Sequence, residues 1–144
     1  MPTTQSILDR KGTDVATIRH DASVLDAAGV MNERRIGAVV VVNGDRVVGI
    51  FTERDILCRV VAEQRAPSDT IVESVMTSPM AVCRRDTTIA ECRAMMTTKR
   101  IRHLPVVEEG MLYGIISAGD ILAREVVDQQ ATIEYLQDYL YGRT

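Results

Sequence analysis

Tryptophan is missing from this 144-residue chain, phenylalanine occurs once, histidine twice and cysteine three times. So few aromatic side chains cannot tile a base-stacking platform. The net charge of -3 and pI near 5.4 also lack the basic excess that nucleic acid or an anionic membrane surface requires. Neither nucleic acid nor membrane is expected as a partner. The scarcity of His and Cys leaves few reagents for nucleophilic triads or metal clusters, so neither a catalytic role nor a metal site is expected. Cys58, Cys83 and Cys92 are odd in number and form no CxxC pair, and no apolar run reaches the roughly 18 residues of a membrane span. The expectation is a reduced, cytoplasmic protein. What the chain does contain, 46% apolar and 26% charged residues, excludes disorder. At this length folding buries roughly 68–70% of the unfolded surface, enough for a core without disulfides or a structural metal.

Internal repetition organises the sequence. A displacement of 65 residues superposes the two halves without a gap: Arg19 on Arg84, Met31 on Met96, Arg35-Ile36 on Arg100-Ile101, Val41-Val42 on Val106-Val107, Gly49-Ile50 on Gly114-Ile115 and Asp55-Ile56-Leu57 on Asp120-Ile121-Leu122. Each copy opens with a short extended piece, Val15–Ile18 or Ala81–Cys83. Ser23-x-x-Asp26 and Thr88-x-x-Glu91 then have the spacing of helix-start boxes. Val24, Ala27, Ala28 and Met31 recur at helical period, as do Ile89, Cys92 and Met96. The apolar runs 38–42 and 47–51, and 104–107 and 112–116, read as buried strands joined by the turns at Asn43-Gly44-Asp45 and Glu109-Gly110. A second helix follows from Glu53 or Arg54, and from Gly119. The fold class is therefore α/β, two β-α-β-β-α units about a pseudo-twofold axis. The expected organisation is an N-terminal helical segment over 1–12, a first unit over 13–64, a linker over 65–77, a second unit over 78–127 and a terminal helix over 128–144. On the last, Ile133, Leu136 and Leu140 share a face, which suits docking either on the chain's own core or on a partner subunit.

Both units close their last strand with Gly-x-x-Ser/Thr-x-x-Asp: Gly49 to Thr52 to Asp55, and Gly114 to Ser117 to Asp120. Glycine lets a ligand approach the backbone, the following helix start attracts an anion, and an ionised Asp can accept both hydroxyl protons of a ribose diol. The same spacing also caps a helix with no ligand at all. Two copies that both keep Asp, where the earlier caps vary between Asp26 and Glu91, favour a fixed reach to a ligand. The cysteines align with Ile18, Ala27 and Ala123 and read as small core residues. His20 aligns with Arg85 and reads as surface, and the runs 32–35 and 97–102 as solvated helix ends.

The tandem boxes together with Arg100-Ile101-Arg102-His103-Leu104-Pro105-Val106-Val107 resemble a pair of cystathionine-beta-synthase-type (CBS) domains, a Bateman module, over nearly the whole chain. The resemblance implies adenosyl ligands (AMP, ADP, ATP, NAD or S-adenosylmethionine) in clefts between the units, assembly as a homodimer, and a regulatory rather than catalytic role toward an unidentified protein. It assigns Asp55 and Asp120 to the ribose, with Thr52 and Ser117 as hydroxyl partners and Arg54 within the first motif. It also places the phosphate of one unit's ligand against the strand entry of the other. There the second unit has Arg102-His103 and Pro105 where the first has Gly37-Ala38. A complete site is thus expected from Thr52 and Asp55 with Arg102 and His103; the site on Ser117 and Asp120 is expected to bind phosphate more weakly, or to hold it through Arg34, Arg35 or another chain. His103 as a bonded interface histidine and Arg102 as a solvated charge are the alternatives. Without aromatic stacking, the adenine falls to aliphatic and backbone groups near Val15, Ala16 and Thr17, and near Met80, Ala81 and Val82. A ligand-free dimerisation scaffold, in which the boxes only cap helices, is the competing function.

Overall fold

The computed structural model describes residues 1–141. Helix α1 (Thr4–Lys11) precedes the first unit, which consists of β1 (Thr17–Arg19), α2 (Val24–Arg34), β2 (Ala38–Asn43), β3 (Arg46–Thr52) and α3 (Glu53–Asp55), the last continuing as a π-helix over Ile56–Val61. The second unit has α4 (Ile89–Lys99), β4 (His103–Glu108), β5 (Met111–Ser117) and α5 (Ala118–Tyr141). Ser23 and Thr88 each accept the N–H three residues on, so the expected helix starts form.

The sheets repeat down to their irregularities. β1 lies parallel to β2 and β2 antiparallel to β3, with a register shift between Val41 and Val42; β4 and β5 shift at the equivalent Val106 and Val107. The expected strand over Ala81–Cys83 is reduced to a single parallel bridge from Cys83 to Val106. Each unit keeps its own core, one around Phe51, Val39 and Val41, the other around Leu104, Val106 and Ile116.

Two arrangements were not legible in the sequence. Ile7 and Leu8 of α1 join the core of the second unit, while Val72 and Val75 of the linker join the core of the first, so each unit is completed by the segment that precedes the other. The terminal helix is also not a separate element: after Gly119 no Gly or Pro interrupts α5, which runs unbroken to Tyr141. Ile133, Leu136 and Leu140 stand exposed, so α5 does not dock on its own core there. The expected continuation of this helix over 142–144 lies outside the described residues.

Candidate functional site

The end of β3 turns into α3 through a reciprocal cap. The Asp55 N–H donates to Thr52 Oγ1 (3.4 Å), and the Thr52 N–H donates to Asp55 Oδ2 (3.0 Å). The Thr52 hydroxyl also donates to Oδ2 (3.3 Å), the Thr77 hydroxyl donates to Oδ1 (2.9 Å), and Arg59 Nε lies 3.8 Å from Oδ1. These contacts fix the carboxylate, whose side chain is only 7% exposed. A hydroxyl has one proton and two lone pairs, so Thr77 can bond Asp55 and still accept from a ligand hydroxyl.

Asp55 lies at the edge of a cavity of about 680 Å³, within the range of about 300–1,000 Å³ usual for small-molecule sites. The wall from the first unit includes Gly37, Thr52, Arg54, Asp55 and Arg59; Thr77 comes from the linker, and Ala81, Lys99, Arg100, Arg102 and His103 from the second unit. Of the expected residues the cavity gathers Gly37, Thr52, Arg54, Asp55, Ala81, Arg102 and His103. Val15, Thr17, Ala38, Met80, Pro105, Ser117 and Asp120 are not among its lining. Ala38 and Pro105 are buried within their strands, paired with Thr52 and Ile115. Thr17 pairs with Val40 on β1.

In a chain of net charge -3, this wall sets five cationic side chains against Glu53 and Asp55. Arg54 donates to the Arg100 carbonyl (3.1 Å), a neutral acceptor that leaves its charge uncompensated, while Arg59 donates to the Met76 carbonyl (2.7 Å) and faces Asp55 Oδ1 at 3.8 Å. The helix start itself is not the anion site. The Glu53 N–H is taken by the Gly37 carbonyl (3.0 Å) and the Asp55 N–H by Thr52. The room at Gly49 is likewise used internally: a Cβ there would lie 2.7 Å from Met76 Sδ and 2.8 Å from the Thr77 carbonyl.

Burial lowers the His103 pKa below its ordinary 6.5, with Arg102 and Lys11 acting the same way and Glu53 and Asp120 opposing. His103 is therefore neutral at neutral pH. Its contribution to stability is full above 6.5 and is lost as the pH falls below that value.

The run 97–102 is an exposed helix end, as read from sequence, and it also brings Lys99 and Arg100 to the cavity, because Arg100 adopts a left-handed conformation (φ 54°) that turns the chain back toward α3. Sequence reasoning also missed Thr77, whose repeat position is Gly12, and Arg59, which the repeat does signal through Arg124. Cys83 and Cys92 are buried as expected, and the hydrogen bond with Cys92, with burial, pushes the Cys83 thiol up. Cys58 corrects the expectation of a core residue: it is exposed and lines the cavity, because the π-helix turns Val60 inward instead. A maleimide should therefore add once to the folded protein by intact-mass measurement; two or three adducts would contradict the burial of Cys83 and Cys92.

The sequence profile of the CBS domain family matches residues 10–62 and again 72–126. The chain belongs to the CBS domain family. An uncharacterized protein of Methanopyrus kandleri is 37% identical over 114 residues, 78% of this chain and 58% of that protein, so the chain spans little more than half of that relative. The CBS domain-containing protein YhcV of Bacillus subtilis is 29% identical over 126 residues, covering 88% of this chain and 89% of its own. Among solved structures, a Burkholderia ambifaria protein with CBS domains, whose proposed role is signal transduction, superposes with a TM-score of 0.85 at 40% identity over 88% of this chain and 96% of that one. Tandem CBS pairs are regulatory and signal-transduction modules, and CBS domains generally bind adenosine-containing ligands. No helix among the described residues is long and apolar enough to cross a membrane.

Proposed function

We propose that this CBS pair is a non-catalytic sensor that binds an adenine nucleotide, AMP first and ADP, ATP or NAD as alternatives, in the cavity between its units. One observation carries the reading: Thr52 and Asp55 of the first unit and Arg102 and His103 of the second line one cavity whose wall is cationic in an acidic chain. Asp55 and Thr77 hold the ribose diol, Arg102, Lys99 and protonated His103 face the phosphate, and Ala81, Ile101 and Ile50 lie against the base. The excess of positive charge disfavours the cationic S-adenosylmethionine. The regulated partner is a second protein. Free thiols suit a cytoplasmic setting.

Pairing as a homodimer is supported by repeat-equivalent apolar residues left exposed on the second helix of each unit, Leu57 with Leu122 and Val61 with Val126. The reciprocal caps at Thr52 and Asp55 favour a second reading, a ligand-free scaffold, because they show that the box also serves its helix. Thermal unfolding separates the two. A nucleotide present at a hundred times its dissociation constant adds about 2.7 kcal/mol, which for this size raises Tm by roughly 5–10 °C. AMP should do so, and its affinity should rise as the pH falls through 6.5, since a bound phosphate restores to His103 the proton that burial removes. No shift with AMP, ADP, ATP or NAD would leave the scaffold.

A further inference from the structure

The second acid, Asp120, has the more exposed side chain, 22% against 7% for Asp55, but it is held by a different kind of partner. Lys11 Nζ donates to Asp120 Oδ2 at 2.7 Å and to the Ile115 carbonyl at 3.0 Å, while the Ser117 N–H takes the same carboxylate oxygen at 2.8 Å. Lys11 is the last residue of α1, and α1 is firmly seated. Ile7 and Leu8 are buried in the second core, the N–H groups of Thr4 and Gln5 bond to the carbonyls of Thr87 and Arg85, and Leu8 Cδ2 lies 2.5 Å from where a Cβ on Gly114 would be. The lysine is thus delivered to the acid by a packed helix rather than reaching it from a loose tail.

The repeat makes the difference between the clefts chemical. Displaced by 65 residues, Lys11 corresponds to Met76 and Gly12 to Thr77. In the first cleft Asp55 meets a hydroxyl, which can donate to the acid and accept from a ligand, and its cationic neighbour Arg59 stands off at 3.8 Å. In the second, Asp120 meets an ammonium group, which only donates and which neutralises the carboxylate. Apart from Arg35, the counterpart of Arg100, the cations are also spent or missing there. Arg124, equivalent to Arg59, pairs with Asp128 (3.2 Å), Arg34, equivalent to Lys99, lies 3.8 Å from Asp14, and Gly37 and Ala38 replace Arg102 and His103.

We propose that Lys11 is the built-in occupant of the second cleft, so that each chain takes one adenine nucleotide and not two. The proposal rests on the nucleotide reading of the first cleft. It turns a lysine before the first repeat into the residue that sets stoichiometry, and removing that lysine creates a site. Lys11→Met installs the residue that the first cleft carries at this place.

Calorimetric titration with AMP, and with adenosine, which needs no phosphate contact, provides the test. The unaltered protein should bind AMP at one per chain, Lys11→Met should bind a second equivalent of at least one of the two probes, and Lys11→Met with Asp120→Asn should return to one. Two equivalents on the unaltered protein, or one equivalent of both probes on Lys11→Met, would overturn the role of Lys11 while leaving the first cleft standing. No binding of either probe to either protein would overturn the nucleotide reading and the occupancy proposal together.

Discussion

Asp55→Ala should lower AMP affinity at least about a hundredfold and destabilise the protein by about 2–3 kcal/mol. The binding loss comes from two hydrogen bonds to an ionised acceptor, each contributing about 1.5–3 kcal/mol, where roughly 1.4 kcal/mol is a factor of ten. The stability loss has a separate origin: the Thr52 N–H and the Thr77 hydroxyl lose their acceptor, and α3 loses its reciprocal cap, about 0.5–2 kcal/mol. Asp55→Asn separates the two roles. Its carbonyl oxygen can still accept from the Thr52 N–H, but its amide cannot accept from Thr77 or from a ribose hydroxyl. Stability should fall by about 1 kcal/mol or less while AMP affinity falls at least about tenfold, since one charge-assisted bond is lost. An Asp55→Asn protein that binds AMP as tightly as the parent would reduce Asp55 to a capping residue. So would AMP binding that survives Asp55→Ala and fails in Asp120→Ala.

Phe51→Ala should be the most damaging single truncation. Phe51 is the one phenylalanine, is fully buried on β3 opposite Val39, and forms the centre of the first unit's core. Emptying such a position costs about 3–5 kcal/mol, a large part of the 5–15 kcal/mol that holds a typical domain folded. With a urea slope of about 1–3 kcal/mol per molar, the midpoint should fall by at least about 1 M. The repeat supplies the control, because Ile116 occupies the equivalent place in the second core, equally buried. Phe51→Ile keeps a large apolar side chain and should cost clearly less than Phe51→Ala. Equal midpoints for Phe51→Ala and the parent would mean that the first core is not organised around this ring.

The parts of the fold that follow local rules were readable from the sequence. Strand pairs such as β2–β3 and β4–β5, helix starts at Ser23 and Thr88, and the two Ser/Thr-x-x-Asp boxes each depend on residues close in the chain and occur twice, so each copy supports the other. The cleft residues Thr52, Asp55, Arg102 and His103 could be grouped because the family resemblance relates one unit's helix start to the other unit's strand entry. What was not readable depends on distant or unrepeated contacts. Lys11 reaches Asp120 across more than a hundred residues of chain, and Thr77 reaches Asp55 from a linker whose repeat counterpart is a glycine. For Cys58 the alignment with Ala123 does not signal burial, although both are small residues. Ala123 is itself exposed, so the repeat was right and the inference from residue type was not.

The central claim is that one ligand is held by both units at once. Equilibrium titration of AMP against Arg102→Gln, in a protein whose Asp55 and Thr52 are untouched, tests it most directly. Arg102 is exposed and, among the described residues, forms no ion pair with a carboxylate, so its replacement should leave stability nearly unchanged. The expected result is an unaltered melting temperature without ligand and an AMP affinity lowered by roughly tenfold or more, the loss of one charge-assisted phosphate contact. AMP binding equal to that of the parent protein would contradict the two-unit site.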